Sequence, residues 1–251
     1  MPELDLWFFL VAIPAVTFAG ISKGGFGGGV AFAGSSILAL VMEPGQALAL
    51  MLPLLMLVDV ATLKPYWKRW NVRDSWVLIL GGLPGVALGA WLYEATDADL
   101  LRLLIGGISV GFVTWHLSQS RGWVRGFQRR LSATAGLLAG LVAGFTSFVS
   151  HAGGPPAAVY LLSQRHGKTE FQASTVIVFW VINFAKSVPY AYLGLFTLET
   201  ILVDLVLAPF ALLGAWLGVR AHWMMPEKLF FSIAYLLLMI TGSKLIWDAL
   251  A

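Results

Sequence analysis

Apolar residues in this chain run in long blocks, without the alternation of a half-buried strand or the single stripe of a surface helix. The blocks Pro44–Leu63, Trp76–Tyr93, Leu100–Leu117, Phe171–Leu193, Thr200–Leu217 and Leu229–Trp247 are near or above the ~17–25 residues that carry a helix across a bilayer. Connections of about 5 to 14 residues separate them, too short for a soluble domain. Two more apolar segments, 6–42 and 131–162, are interrupted. The first breaks at Lys23-Gly24-Gly25-Phe26-Gly27-Gly28-Gly29 and the second at Ser150-His151-Ala152-Gly153-Gly154-Pro155-Pro156. Glycine and proline break helices, and in hydrocarbon a broken helix exposes backbone groups that nothing satisfies. Such breaks persist where protein buries them or where they line a polar cavity, and paired breaks point to a transporter site.

The breaks are paired by an internal repeat. A shift of 125 positions lays Pro84 on Pro209, Leu88-Gly89-Ala90-Trp91-Leu92 on Leu213-Gly214-Ala215-Trp216-Leu217, and Gly28 and Gly29 on Gly153 and Gly154. One offset linking three separated features marks a duplicated unit. The expected organisation is a first transmembrane repeat at 1–120, a basic cytoplasmic linker at 121–130 and a second repeat at 131–251, together one membrane domain.

Charge sets the direction of the halves. Lys64, Lys68, Arg69 and Arg73 mark one loop as cytoplasmic, and Arg121, Arg125, Arg129 and Arg130 mark another. The loop between carries Glu94, Asp97 and Asp99 and is expected outside. Arg165 with Lys168, and Arg220 with Lys228, are two further basic loops. Both fall inside only if 131–162 enters the membrane and returns on the same side. Segment 6–42 reads the same way, leaving Glu3, Asp5 and Glu43 outside. Each half then has one re-entrant hairpin and three crossings, and an odd number of crossings gives the halves inverted topology. Eight ordinary spans is the alternative.

Composition agrees with the blocks. Of 251 residues, 59% are hydrophobic and 12% charged, against roughly 45–50% and about 25% in soluble domains; the mean hydropathy is +0.82. The expected fold is an all-α polytopic membrane protein in a lipid bilayer. An isoelectric point near 9.3 reflects Lys and Arg in short loops, so no nucleic-acid partner is expected. The acidic start, Met1-Pro2-Glu3-Leu4-Asp5, is unlike a signal peptide, so the first apolar segment is expected to stay. The chain has no cysteine, which excludes disulfides and thiolate metal sites. Gly24–Gly29 lacks the Walker pattern, and His116, His151, His166 and His222 show no metal-ligand spacing. No enzyme, metal or cofactor is expected.

The chemistry-bearing residues cluster at the breaks. In a re-entrant hairpin the return arm starts deep in the membrane with free N–H groups and a positive dipole end. Arms starting near Val30 and Ala157 are expected to aim such ends at the midplane, as an anion site would need. Lys23 lies on the first break and Lys186 inside a span, where a lysine usually faces a partner or a cavity. Snorkelling to the interface is the competing role for both. Asn183 is one turn from Lys186, and Asp59 falls at nearly the equivalent place in the first half. The candidate substrate-binding set is Ser22, Lys23, Gly24, Gly25, Gly27, Gly28, Gly29, Ser150, His151, Gly153, Gly154, Pro155, Asn183 and Lys186, with Asp59 and His151 as candidates for proton or ion coupling. Structural hydrogen bonding is the competing role for His151, and an interfacial carboxylate near Lys64 for Asp59. Thr146 and Ser147 add hydroxyls near the second break, where they can also back-bond their helix. Glycines spaced four apart, at 81, 85 and 89, at 136, 140 and 144, and at 214 and 218, read as helix-packing positions.

At Gly20–Gly29, Gly144–Pro156, Pro84–Ala90 and Leu213-Gly214-Ala215 the chain resembles the TauE/SafE family of sulfite and organosulfonate exporters, also called the toluene-sulfonate uptake permeases. The likeness covers nearly the whole chain. It implies transport of sulfite, sulfonates or similar small anions without ATP, in a bacterial inner membrane. Two departures stand out: His151-Ala152-Gly153-Gly154 replaces part of the family's G-x-G-G-G, and Lys23 adds a charge that many relatives lack. The resulting expectation is a secondary anion transporter working by alternating access, with a homo-oligomer as its candidate assembly. A passive anion channel and a non-transporting membrane anchor are the alternatives.

Overall fold

In the computed structural model, residues 5–121, 130–224 and 227–251 are described. The expectations on Glu3, Arg125, Arg129 and most of the linker 121–130 lie outside these residues. The regular structure of the described residues is helical throughout. In chain order the elements are α1 (Leu6–Gly25), α2 (Ala33–Leu38), α3 (Pro44–Leu63), α4 (Val72–Glu94), α5 (Ala98–Ser120), α6 (Ala133–Ser150), α7 (Gly154–Ser163), α8 (Lys168–Tyr192), α9 (Leu198–Met224) and α10 (Glu227–Leu250). The six uninterrupted blocks are α3, α4, α5, α8, α9 and α10. Polar caps start several elements: Asp5 accepts from the N–H of Phe8, Asn71 from Asp74, Asp97 from Leu100 and Ser132 from Ala135.

Helices α1, α3, α4, α5, α6, α8 and α9 are each long and apolar enough to cross a membrane. Their outward faces carry exposed Leu10, Leu80, Leu138, Phe184, Val188, Leu205, Val206 and Leu213. Only lipid makes such a surface favourable, so the chain is a multi-pass membrane protein.

Element order repeats at the offset seen in the sequence. The set α1, α2, α3, α4, α5 is followed by α6, α7, α8, α9, α10 with the same succession of lengths, a short helix second. Packing exchanges partners between the sets. The long arm α1 lies along α9, and α6 lies along α4, the counterpart of α9. Both contacts are glycine seams that bring backbones together. A Cβ on Gly144 would stand 2.0 Å from the carbonyl oxygen of Gly82, and one on Gly218 2.4 Å from that of Ile21. The glycine-packing expectation therefore describes these two seams.

Both interrupted segments turn back on themselves. Leu131, just before α6, donates its N–H to Ser163 Oγ at the end of α7 (3.3 Å), and its carbonyl accepts from Gln164 (3.0 Å). Gly34 in α2 packs on Ala15 and Ala19 of α1, and Met42 joins Phe8 in one apolar cluster. The ends of the second hairpin thus meet, and the return arm of the first packs back along α1. The hairpins sit toward opposite ends of α4: Tyr160 and His166, beside the second hairpin's ends, bond Asp74 in its first turn, whereas Tyr93, near its last residue, lies against Gly45, just after the first hairpin.

The arms are unequal, and this changes the expected geometry. Gly25 packs on Gly218, six residues before the end of α9, and Gly89 of α4 packs on Phe148. The breaks therefore lie beyond mid-helix of their partners, because the glycine seams hold α1 and α6 in parallel register almost to their tips. The return arms also differ from expectation. The first is a series of turns with six-residue α2 starting at Ala33, and the second is α7 starting at Gly154. The tips meet side by side, with Gly154 against Gly28 and Gly29, and Ser35 Oγ donates to the Ser150 carbonyl (3.1 Å).

Candidate functional site

The last four carbonyls of a helix have no partner within it, and inside a membrane each needs one. At the end of α1, Ser22 O accepts from the N–H of Phe26 and of Gly28. Lys23 O accepts from Gln172 Nε2 (2.7 Å), Gly24 O from the Tyr66 hydroxyl (2.8 Å), and Gly25 O pairs with His222 Nδ1 (2.9 Å). Gln172 Oε1 in turn accepts from the Gly27 N–H. Burial holds the Tyr66 phenol, which follows α3, well above its usual pKa, so it stays a donor. Gly27 and Gly28 take φ of +72° and +65°, the left-handed turn that lets the chain reverse here.

The second break is closed by similar means. His151 stands at φ +57° as the left-handed cap of α6. Its N–H reaches Ser147 O (3.0 Å), and that of Ala152 reaches Thr146 O (3.2 Å), so the left-handed turn itself pairs two of the last carbonyls. Phe148 O accepts from the Tyr190 hydroxyl (2.8 Å).

Two charge clusters sit on this frame. Lys23 Nζ lies 2.5 Å from Asp59 Oδ1, and Asp59 Oδ2 accepts from Asn183 Nδ2 (2.7 Å). Lys186 Nζ is fully buried and meets Ser147 O (2.8 Å), Ser147 Oγ (3.1 Å) and His151 Nδ1 (2.8 Å). Those three acceptors match the three hydrogens of an ammonium. His151 Nε2 lies 3.0 Å from Leu48 O, which can only accept. The proton is therefore assigned to Nε2, leaving the Nδ1 lone pair for Lys186.

The clusters share one template. Helix α3 and the turn after it present Asp59, Thr62 and Tyr66, and α8 presents Asn183, Lys186 and Tyr190, each at spacings of three and four. Tyr66 caps Gly24 O and Tyr190 caps Phe148 O, so Gly24 stands opposite Phe148 and Lys23, one residue earlier, opposite Ser147. The first half carries its lysine on the break, the second on the long helix.

Every proposed site residue lies at or behind the junction of the breaks, though in different layers. Lys23, Asp59 and Asn183 are joined by the bonds above, and so, separately, are His151 and Lys186. Gly24 and Gly25 supply capped carbonyls, and Gly24 packs on α9. Gly153 packs against Ala143 and Phe179, and Gly154 against the first break. Ser150 Oγ back-bonds Thr146 O (2.9 Å). The Ser22 hydroxyl is buried with no partner among the described residues. Pro155 and Pro156 have no N–H to donate, and the Ala157 N–H reaches Gly153 O (3.4 Å). The start of α7 is thus poor in free donors, so side chains supply the positive charge here.

A cavity of about 700 Å³ reaches the junction from the end where the basic loops meet. Its floor includes Gly25, Gly27, Gly29 and Pro155, and its walls include Phe26, Phe112, Trp115, Phe171, Gln172 and Tyr235. His166, Lys168 and His222 line it as well. Lys23 stands behind the first break: its side chain would be 3.6 Å from a Cβ on Gly28.

A family model described as "Sulfite exporter TauE/SafE" matches residues 12–245. The chain belongs to this family. Neither the curated proteins nor the solved structures contain a match. Membership makes this TauE/SafE protein one of a family of sulfur-anion transporters, not of enzymes.

Several residues of this TauE/SafE protein matter that sequence reasoning passed over. Gln172, Tyr66, His222 and Tyr190 close the helix ends from other elements. Tyr66 and Tyr190 had a signal, each standing seven residues after Asp59 or Asn183. Asp204 had one too: it is an acid inside the apolar run of α9, buried, with neither oxygen partnered among the described residues.

Proposed function

We propose that the protein is a secondary transporter of small anions, sulfite, sulfonates or related oxyanions, in a bacterial inner membrane. Its substrate site is the junction of the two breaks. The observation that carries this reading is Lys186: a fully buried side-chain amine held by neutral acceptors, with no carboxylate at ion-pair distance among the described residues. A buried cation without a counter-charge is costly, and an anion entering beside it recovers that cost. Oxyanions also accept from several donors at once, and Asn183 and the Ser22 and Ser147 hydroxyls stand around the same junction.

Alternating access is the mechanism that the exchanged packing supports. With α1 on α9 and α6 on α4, each glycine seam ties one repeat to the other, and the site lies where the tips cross. The cavity is open from the basic-loop end, which charge assigns to the cytoplasm, so this conformation faces inward. Rocking one repeat against the other closes that path and opens the opposite one. Hairpins that sit toward opposite ends of α4 support inverted repeats at 1–120 and 131–251. The test is counterflow in proteoliposomes: labelled methanesulfonate should accumulate transiently against unlabelled sulfonate trapped inside and saturate with concentration. Flux that rises linearly and shows no counterflow would identify a channel.

A further inference from the structure

We infer that the site selects by valence, taking up singly charged oxyanions and rejecting doubly charged ones; this rests on the reading of the Lys186 junction as the substrate site. Each ionisable group at the junction has fixed partners, so its contribution to the local charge can be counted. Lys23 and Asp59 cancel each other at 2.5 Å, and the second carboxylate oxygen is held by Asn183. That pair is neutral and self-contained. His151 spends its Nε2 proton on the Leu48 carbonyl and offers Nδ1 as an acceptor, so the imidazole adds no charge. Tyr66 and Tyr190 are neutral phenols donating to helix-end carbonyls. One group is left that can bring a positive charge to an anion, Lys186, and it can bring only one.

Desolvation makes that count decisive. A charge moved out of water into a buried site is retained only where an opposite charge meets it. A monovalent oxyanion at the junction brings the cluster to zero. A divalent one leaves a net negative charge in the same buried volume, beside a carboxylate that is already present. Selectivity then belongs jointly to Lys186, which supplies the charge, and Asp59, which keeps Lys23 from supplying a second. Removing the Asp59 charge frees Lys23 and raises the count by one, so the preference should move toward divalent anions.

The experiment compares uptake of radiolabelled methanesulfonate, methanedisulfonate and sulfate by proteoliposomes of the full chain. These ions hold their valence across the neutral pH range. The wild type should carry methanesulfonate at least tenfold faster than either divalent ion. Asp59→Asn should shift the ratio of sulfate to methanesulfonate upward by at least tenfold. The double variant Lys23→Gln with Asp59→Asn restores a count of one, and should recover the monovalent preference at a lower rate. Equal carriage of all three ions by the wild type would overturn the inference while leaving transport intact, a result independent of how any variant folds. An Asp59→Asn protein that is active with an unchanged ratio would overturn it too. No flux of any of the three ions by folded wild type would instead overturn the site reading beneath it.

Discussion

In the first half of the molecule a lysine on the break meets a carboxylate on the following long helix. In the second half the lysine is on the long helix, and the break offers only a serine and a histidine. The backbone frame around both is nearly the same. Each long arm ends at a glycine-containing turn, each packs on the other repeat through a glycine seam, and each has a helix-end carbonyl capped by a tyrosine seven residues past the Asp or Asn. What is common to the halves answers the bilayer's demand that backbone groups be paired. What differs is charge placement, and on the proposed reading that difference is function: a neutral pair on one side and an available cation on the other.

Breaking the neutral pair should have the largest effect on the fold. Asp59→Ala leaves the Lys23 ammonium buried without its counter-charge, at a cost of about 3–5 kcal/mol. Thermal unfolding in detergent should show a large fall in midpoint, and a further Lys23→Met change should restore most of it. In the second half the corresponding change should strike function first. Lys186→Met removes the available cation and, at about 2–5 kcal/mol for a buried charged partner, should weaken anion uptake at least about thirtyfold. Because no buried charge is left behind, its unfolding midpoint should move less than that of Asp59→Ala.

The shared frame gives a sharper test, since its two tyrosines should behave alike. Tyr66→Phe and Tyr190→Phe each leave one buried carbonyl unpaired, worth about 1–3 kcal/mol. Matching losses in midpoint are expected, and a loss in only one would show that the halves are not capped equivalently. The smallest effect belongs to the single bond between tips. Ser35→Ala removes the contact to the Ser150 carbonyl and should cost about 0.5–1.5 kcal/mol, with transport largely kept.

The sequence is legible where the chemistry is local. Six uninterrupted blocks read as spans because their length alone suits a bilayer. The two breaks read as such because glycine and proline act within a few residues of themselves. Asp59 and Asn183 could be matched because a duplicated unit keeps its spacing. The arm lengths were less legible. Composition shows that Lys23 and Ser150 interrupt helices, but only packing on Gly218 and Gly89 fixes how far each tip reaches. The capping set was least legible of all. Gln172, His222, Tyr66 and Tyr190 act on carbonyls tens to hundreds of positions away, and a side chain's remote partner has no local sequence signature. The same holds for the Lys23–Asp59 pairing, which turned one of two candidate cations into part of a neutral pair.

The most direct test of the central claim is binding of methanesulfonate to purified protein, followed by the fluorescence of Trp115, which lines the cavity. It should be run on the wild type, on Lys186→Met and on the double variant Lys23→Gln with Asp59→Asn. Saturable binding that is lost in Lys186→Met and kept in the double variant is the predicted result. Binding kept without Lys186 and lost with the Lys23–Asp59 pair would contradict it and move the substrate's charge partner to the first half.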